Sequence, residues 1–263
     1  MLRKSNVCEE APVELRINRE KLVTFMCSPY DLEDLALGHL YTRGIVKSKN
    51  DLESIAACKD ARLIATYTLG EVKDDLFTIP KVVLSGCGSG ALFDEKVMQK
   101  EKIEYPHQIS LERIKNIARE MLEGAIMYKN SGGMHCASIG NTNGEVVIRE
   151  DIGRHNAVDK VIGAALNKEF DLKNSVITTT GRLSLDMVLK AVATKIPVVA
   201  TISIPSSLAI ELAEKLGVCL IGRVGKNDPK TTNAIHNINI NSNGPNLPNI
   251  FYLSPYFILF SKV

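Results

Sequence analysis

The feature that most constrains the fold is a regular alternation of helical and strand-like segments between residues 156 and 222. Hydrophobic periodicity predicts helices and strands in turn, namely a helix over 156–168, a strand over 175–180, a helix from Ser184, a strand over 198–203, a helix from Ser206 and a strand over 218–222. Short links between alternating helices and strands favour parallel strands covered by helices. This part of the chain is therefore predicted to be α/β.

A β-hairpin is predicted immediately before the alternating region. Residues 135–139 and 145–149 have strand-like composition, and the Asn143-Gly144 pair between them tolerates the positive φ of a tight turn. Further upstream, apolar residues at steps of three and four predict a helix from Ser110 whose apolar stripe is buried.

The N-terminal part has a different organisation. We predict strands over 13–17 and 61–69, and a helix that Ser28 caps and that ends at Gly44. Eight asparagines lie between residues 227 and 249 and match neither pattern. The chain is therefore divided into a smaller α+β part (1–108), an α/β cofactor-binding part (109–226) and an Asn-rich tail (227–263), for which a disordered appendage and a docked terminal strand are both open.

Composition excludes several classes of protein. The 263 residues are 45% hydrophobic, which is enough for a large core, and the net charge is +2. Such a balance gives no general electrostatic reason to bind DNA, RNA or a membrane surface. No apolar run approaches the roughly 20 residues that span a bilayer, so we expect a cytoplasmic protein without membrane partners.

The cysteines predict reduced thiols rather than a disulfide framework or a metal site. Six are scattered along the chain, at Cys8, Cys27, Cys58, Cys87, Cys136 and Cys219. They form no C-x-x-C pair, and the closely spaced Cys/His pairs of a structural zinc site are absent, so no metal is predicted. Cys219 lies among apolar residues, as a small buried hydrophobe does.

Cys87 has a different sequence context. It stands between Gly86 and Gly88, directly after the apolar run 81–84. Glycines let a loop bring its peptide N–H groups close to an anion, and an accessible thiol between them suggests sulfur chemistry. The alternative is an incidental cysteine in a turn.

The densest polar segment, residues 149–156, lies between a predicted strand and a predicted helix. The first N–H groups of a helix favour a negative ligand, and the planar fork of Arg154 matches phosphate oxygens. An anion site is therefore plausible here. The alternative is a capped helix start in which Asp151 pairs with Arg154.

A second junction, residues 178–184, repeats the order of strand, glycine, arginine and helix start. Ligands of open α/β sheets collect beyond the carboxyl ends of the strands, so both junctions could converge on one phosphorylated ligand, with residues 132–135 as a third edge. Neither G-x-G-x-x-G nor a G-K-[ST] loop occurs, so dinucleotide oxidoreductases and nucleotide hydrolases lack their usual support.

The segments Ser131-Gly132-Gly133-Met134-His135, 150–160 and 180–184 resemble the formate dehydrogenase accessory sulfurtransferase family, FdhD. Residues 28–38 are similar to the family's N-terminal motif. The resemblance runs from about Glu14 to about Arg223. It implies a mixed sheet flanked by helices, similar to that of the cytidine deaminases but without their zinc.

The resemblance also implies a function. A sulfurtransferase of this kind accepts sulfur from a cysteine desulfurase as a persulfide on Cys87. It passes the sulfur to the bis-molybdopterin guanine dinucleotide cofactor, the guanylylated molybdenum cofactor that formate dehydrogenase needs. A homodimer is expected on the same ground.

Site residues follow from the matching motifs. Cys87 is the expected catalytic residue, and the positions assigned to the cofactor are Gly133, His135, Asp151, Gly153, Arg154, His155, Asn156, Gly181, Arg182, Ser184, Gly222, Arg223 and Lys226. Asp159 and Lys160 are expected to support the site or to pack beneath it.

Two departures from the family pattern keep other functions open. Many relatives carry a second cysteine in the Cys87 loop, where this chain has Gly90, and the match is lost after Lys226. A chaperone that binds the molybdenum cofactor without moving sulfur is therefore the main alternative. A small-molecule hydrolase on a deaminase-like scaffold is a third class, but it lacks its zinc ligands.

Overall fold

The structure is a computed structural model of the chain, and it describes residues 7–72, 102–103 and 109–226, together with the backbone of three short strands at 82–83, 230–231 and 238–239. Two larger sheets flanked by helices and one two-stranded parallel sheet make up the described part, and each of the two larger sheets contains both parallel and antiparallel strand pairs. The predicted mixed α/β fold class is confirmed.

The N-terminal sheet has the strand order β3-β4-β1-β2-β5. Its elements follow one another as β1 (Ala11–Ile17), β2 (Glu20–Cys27), α1 (Leu32–Thr42), β3 (Leu52–Cys58), β4 (Leu63–Thr68) and β5 (Val82–Val83). Alternate residues of β1, such as Val13 and Leu15, are buried, because successive side chains of a strand point to opposite faces and helix α1 covers only one of them. Strand β5 runs parallel to β2 at the edge of this sheet.

The C-terminal sheet has the strand order β12-β11-β10-β9-β7-β8. In chain order, the elements of this part are β6 (Ile109–Ser110), α2 (Leu111–Gly124), α3 (Ile126–Ser131), β7 (His135–Asn141), β8 (Val146–Asp151), α4 (Arg154–Asn167), β9 (Ser175–Thr179), α5 (Leu185–Thr194), β10 (Val198–Thr201), α6 (Ser207–Leu216), β11 (Cys219–Gly222), β12 (Lys230–Thr231) and β13 (Ile238–Asn239). Strands β6 and β13 pair with each other in the separate two-stranded sheet. Strands β9, β10 and β11 are parallel, and β7 and β8 form an antiparallel hairpin, as predicted.

Helices cover both faces of the C-terminal sheet. Val176, Val198 and Ile221 pack with residues of α2 on one face. The neighbouring residues Ile177 and Val199 pack with α4, α5 and α6 on the other. Both faces of these strands are buried, which explains why their sequences are continuously apolar rather than alternating.

Helices α1 and α4 join the two sheets at a very close crossing. A Cβ atom added to Gly38 would lie 1.9 Å from the backbone oxygen of Asp159, and one added to Gly163 would lie 2.0 Å from that of Asp34. Only glycine fits at such a distance, so the crossing depends on one glycine from each helix.

Several details of the prediction are wrong or incomplete. Helix α1 begins at Leu32 rather than beside Ser28, and Asp31 stands at its N-cap with a φ of 50°. Strands β2 and β3 and helix α3 were not predicted. In the Asn-rich tail, Lys230–Thr231 pairs with β11 and Ile238–Asn239 pairs with β6. No helix among the described residues has the length and apolar character that crossing a bilayer requires.

Candidate functional site

The candidate site lies at the carboxyl edge of the parallel strands β9, β10 and β11. The loops that follow these strands are hydrogen-bonded to one another. The Leu183 N–H donates to the Ile204 carbonyl at 3.1 Å, and the Arg223 N–H donates to the Ser203 carbonyl at 2.8 Å. A shared edge of this kind is where open α/β sheets bind ligands.

The two arginine-bearing junctions meet at Gly181. A Cβ atom added to Gly181 would lie 2.7 Å from Arg154 Cβ and 3.0 Å from Arg154 Cδ. The Arg154 side chain, at the first position of α4, therefore lies across the loop after β9. The two junctions are therefore in contact, and their convergence on one phosphorylated ligand stays a prediction.

His135 begins strand β7 at the same edge. Its Nδ1 lies 3.1 Å from the hydroxyl of Thr180, and this hydroxyl also accepts a hydrogen bond from the Cys136 N–H at 3.1 Å. Burial lowers the pKa of His135, and the positive charge of Arg154 lowers it further. The imidazole is therefore neutral at physiological pH.

Asp151 is the buried centre of hydrogen bonding beneath the site. Its side chain is 0% exposed and lies 2.7 Å from the Lys160 ammonium group, which is also 0% exposed. One oxygen accepts from the Ser28 N–H at 3.0 Å, and the other accepts from the Gly153 N–H at 2.8 Å and from Asn156 Nδ2 at 3.1 Å. Both oxygens of Asp151 are thus bonded within the protein, and its assignment to the cofactor stays a prediction.

Lys160 connects the N-terminal part to the site. Its ammonium group donates to the Ser28 carbonyl at 2.9 Å and to the Glu150 carbonyl at 3.3 Å. The Asn156 side chain makes a similar connection by donating to the Met26 carbonyl at 2.9 Å. The expected supporting position of Lys160 agrees with these contacts, and the assigned residue Asn156 lies beneath the site with it.

Glu150 holds the third edge of the site. Its carboxylate accepts hydrogen bonds from the Met127 N–H at 3.1 Å and from the Tyr128 N–H at 2.6 Å, at the start of α3. Helix α3 ends at Gly132, whose φ is 66°. Gly133 follows and is exposed, and a Cβ atom on it would lie 2.9 Å from Cys8 Sγ. Cys8 was not predicted at this edge, because its distance from Gly133 in the chain gives no local signal.

His155 and Ser184 join the first turns of α4 and α5. His155 Nε2 lies 3.3 Å from Ser184 Oγ and 3.8 Å from Asp186 Oδ2. Burial lowers the pKa of His155 to about 4, although the Asp186 carboxylate opposes this shift. Asp186 was not predicted, but it lies two residues after Ser184 in the first turn of α5.

The remaining residues assigned to the cofactor lie in the loop after β9 and at or after the end of β11. Arg182, Arg223 and Lys226 are exposed cations. Arg223 has a φ of 55°, and its N–H is fixed by the loop after β10. Gly222 is buried, and a Cβ atom there would lie 3.0 Å from Pro205 Cδ. These cations could meet the phosphates of a ligand held at the sheet edge.

Cys87 lies outside the described residues, four positions after the last residue of β5. Cys27, Cys136 and Cys219 are buried free thiols, and burial raises the pKa of each to about 12, so none of them is a reactive thiolate. This confirms the prediction for Cys219. In the part of the chain that the structure describes, no group of three His, Cys, Asp or Glu side chains could hold a metal ion.

Comparisons with known proteins identify the family. The model of the FdhD/NarQ family matches residues 8–236. Two proteins named sulfur carrier protein FdhD are 33% identical (Streptomyces coelicolor, 84% of this chain and 84% of that protein) and 35% identical (Wolinella succinogenes, 82% and 76%). The crystal structure of a protein described as a formate dehydrogenase accessory protein, from Desulfotalea psychrophila, superposes with a TM-score of 0.69 at 28% identity and covers 88% of this chain and 89% of that chain. The chain therefore belongs to the FdhD/NarQ family.

Proposed function

We propose that this protein is a sulfur carrier that receives sulfur as a persulfide on Cys87 and passes it to the bis-molybdopterin guanine dinucleotide cofactor of formate dehydrogenase. The names of its relatives, sulfur carrier protein FdhD and formate dehydrogenase accessory protein, support this role. The donor would be a cysteine desulfurase. A homodimer stays a prediction.

The loading step is an exchange between thiols. The Cys87 thiolate attacks the outer sulfur of the desulfurase persulfide, a new S–S bond forms on Cys87, and the desulfurase cysteine leaves as a thiolate. In the delivery step the outer sulfur moves to the reduced metal centre of the cargo. The S–S bond to Cys87 breaks, the sulfur gains the two electrons that the metal loses, and Cys87 is again a thiolate.

The observation that carries the proposal is the contact of Arg154 with Gly181 at the sheet edge. Arg154 stands at the first position of α4, and Arg182, Arg223 and Lys226 are exposed in the segments that follow β9 and β11. The phosphates of a dinucleotide are favoured by cationic side chains and by the N-terminal ends of helices. The arrangement therefore suits an anionic cargo better than an uncharged one.

The path of strand β5 supports the assignment of Cys87. Strand β5 runs parallel to β2, with Val83 opposite Phe25. Three residues after Phe25 comes Ser28, whose Oγ accepts from the Ile152 N–H at 3.2 Å beneath the site. Cys87 is the fourth residue after Val83, and a chain of four residues spans at most about 14 Å. Cys87 is thus attached to a strand that points along β2 toward the site.

Sulfur loading tests the proposal directly. The protein is incubated with a cysteine desulfurase and cysteine, and its intact mass is measured. We expect one added sulfur atom on the wild type and none on Cys87→Ala. Cys58→Ala removes an exposed cysteine on β3 and serves as the matched control, which should load normally. Equal loading of Cys87→Ala and wild type would contradict the proposal.

A cofactor chaperone that moves no sulfur is the second candidate, because Gly90 stands where many relatives have a second cysteine. This candidate predicts that Cys87→Ala still supports maturation of formate dehydrogenase in cells. The sulfur carrier predicts that it does not. Both predict binding of GDP, and Arg182→Ala should weaken that binding by about 1.5–3 kcal/mol if the contact is charge-assisted.

A further inference from the structure

Two exposed apolar side chains lie beside the candidate site without a role in it. Among the residues that the structure describes, Ile204 is 48% exposed and Leu208 is 47% exposed. Ile204 belongs to the loop after β10, and Leu208, four residues later, belongs to the first turn of α6. A single exposed hydrophobic residue is common and needs no explanation, whereas neighbouring ones ringed by polar groups mark a surface that another molecule covers.

Backbone hydrogen bonds hold Ile204 between the two neighbouring loops of the sheet edge. Its carbonyl accepts from the Leu183 N–H at 3.1 Å, and the Leu183 carbonyl accepts from the Ser206 N–H at 2.9 Å. On the other side, the Arg223 N–H donates to the Ser203 carbonyl at 2.8 Å. The loop that carries Ile204 is therefore braced on both sides, and its exposed side chain stands on a preformed support.

Leu208 is held by the capped start of α6. The Ser206 hydroxyl accepts from the Ala209 N–H at 3.3 Å, which fixes the first turn of the helix. Ala209 and Leu212 are buried in the core, so Leu208 lies on the opposite, outer side of the turn. Apolar groups on a rigid support lose little conformational entropy when a partner covers them, which favours binding.

The surroundings of the two apolar residues are cationic. Arg182 and Arg223 are exposed, and they lie in the loops on either side of Ile204. No Asp or Glu occurs in the three loops at this edge, residues 180–184, 202–206 and 223–226. The first acidic residue of α6 is Glu211, one turn farther along the helix. An apolar centre with cations around it complements an apolar pocket edged by carboxylates.

We infer that Ile204 and Leu208, flanked by Arg182 and Arg223, form a docking surface for the protein that receives the cargo, which is formate dehydrogenase without its cofactor. The matching surface on that enzyme would be an apolar pocket edged by carboxylates. This inference rests on the proposed function for the identity of the partner.

The position of the docking surface favours the receiving protein as its occupant. Ile204 follows β10, and the candidate site lies at the carboxyl edge of the same strand and its two neighbours. A protein seated on this surface would therefore stand directly beside the bound cargo. The cargo could then pass from one protein to the other without release into water.

A second copy of this chain fits the docking surface less well. A two-fold symmetric contact brings the same patch of both copies together. The exposed arginines of one copy would then face the same arginines of the other, and like charges across an interface oppose binding. The charge of the surface thus favours an acidic partner over self-association.

Two substitutions of Leu208 test the surface and its charge. In a titration with purified, cofactor-free formate dehydrogenase, we expect Leu208→Glu to weaken binding about thirtyfold and Leu208→Lys about threefold. Both remove the apolar contact, but only glutamate is repelled by carboxylates on the partner. Damage to the helix would give the reverse order, because a helix N-terminus favours a negative side chain. Equal effects or the reverse order would overturn the inference.

A matched control and a ligand titration separate docking from cargo binding. Leu69 is 70% exposed directly after β4, and Leu69→Glu should bind the enzyme as tightly as wild type. The affinity of Leu208→Glu for GDP should stay within about threefold of wild type. A loss of enzyme binding in Leu69→Glu as large as in Leu208→Glu would refute the docking surface. A loss of GDP affinity equal to the loss of enzyme affinity would assign Leu208 to the cargo site instead.

The other occupants are distinguished by two further measurements on Leu208→Glu. Its sedimentation should match that of the wild type, since dissociation into a smaller species would assign the surface to a second copy. It should also load sulfur normally on Cys87, since a loss of loading would assign the surface to the desulfurase. Wild-type protein that does not bind the cofactor-free enzyme would likewise overturn the inference. The wild-type loading test would still stand in that case, because it needs no formate dehydrogenase.

Discussion

The Arg154 side chain lies across Gly181, so close that a Cβ atom on the glycine would come within 2.7 Å of Arg154 Cβ. A glycine at this point lets the first turn of α4 approach the loop after β9. The Arg154 side chain is thereby held at the edge where three parallel strands end. Its position depends on the absence of a side chain at residue 181.

Gly181→Ala should therefore impair ligand binding by displacing Arg154. We expect the affinity for GDP to fall roughly tenfold while the protein remains folded. In an Arg154→Ala background the same substitution should have little further effect, because the displaced group is already absent. Isothermal titration calorimetry measures both. Gly70→Ala is the matched control, since a Cβ atom there meets nothing within 4 Å, and a similar loss of affinity in this variant would refute the explanation.

The buried Asp151–Lys160 pair should be costly to break. Lys160→Met leaves the Asp151 carboxylate buried without its cation, and we expect the free energy of unfolding to fall by about 3–5 kcal/mol. Urea denaturation measures this. Lys49→Met removes a lysine from the surface pair with Glu169, at 2.7 Å, and should leave stability nearly unchanged. If both substitutions lowered the free energy of unfolding by the same amount, burial would not explain the cost of breaking the Asp151–Lys160 pair.

The crossing of α1 and α4 should tolerate no methyl group. Gly38→Ala and Gly163→Ala each force a Cβ atom against a backbone oxygen, and each should lower the free energy of unfolding by about 1–3 kcal/mol. Gly124→Ala is the control, because the nearest atom there, Ile148 Cδ1, is the end of a flexible side chain. In thermal unfolding, Gly38→Ala and Gly163→Ala should be less stable than Gly124→Ala. A larger loss of stability in Gly124→Ala would contradict the close crossing.

His155 should make stability depend on pH. Its pKa falls from 6.5 to about 4 on folding, because burial disfavours the charged ring. Between these values the unfolded chain binds more protons than the folded one, so stability is lost as the pH drops from 6.5 toward 4. The loss attributable to this group is on the order of 3 kcal/mol. Denaturation curves of wild type and His155→Gln across this range should differ in slope, and parallel curves would exclude His155 as the cause.

The alternating half of the fold could be predicted because its signals are local. The apolar run of β9 and the Ser110 cap of α2, whose side chain accepts from the Arg113 N–H at 3.1 Å, each lie within a few residues of the structure they specify. The hairpin of β7 and β8 has a common turn sequence. The contact between the arginine junctions followed from a general rule about parallel sheets rather than from any contact visible in the sequence.

The predictions from the sequence failed where the structure depends on tertiary contacts or on unusual turns. Ser28 looks like a helix cap, but its N–H and hydroxyl bond to Asp151 and Ile152, more than a hundred residues away. Strand β2 was missed because the turn before it uses Asn18 and Arg19 at positive φ, and arginine rarely occupies such a position. Residue spacing alone likewise could not decide whether Asp151 pairs with Lys160 or with Arg154.

The contacts of Lys160 bear on any attempt to cut the chain into pieces. The same ammonium group bonds to a carbonyl before residue 109 and to another after it. In a fragment that starts at Ile109, the Lys160 ammonium group would lose the Ser28 carbonyl as a hydrogen-bond acceptor. A buried charge that lacks one of its hydrogen-bond partners strongly destabilises the fold. Calorimetry should accordingly record a single melting transition for the intact polypeptide, and neither half is expected to refold by itself.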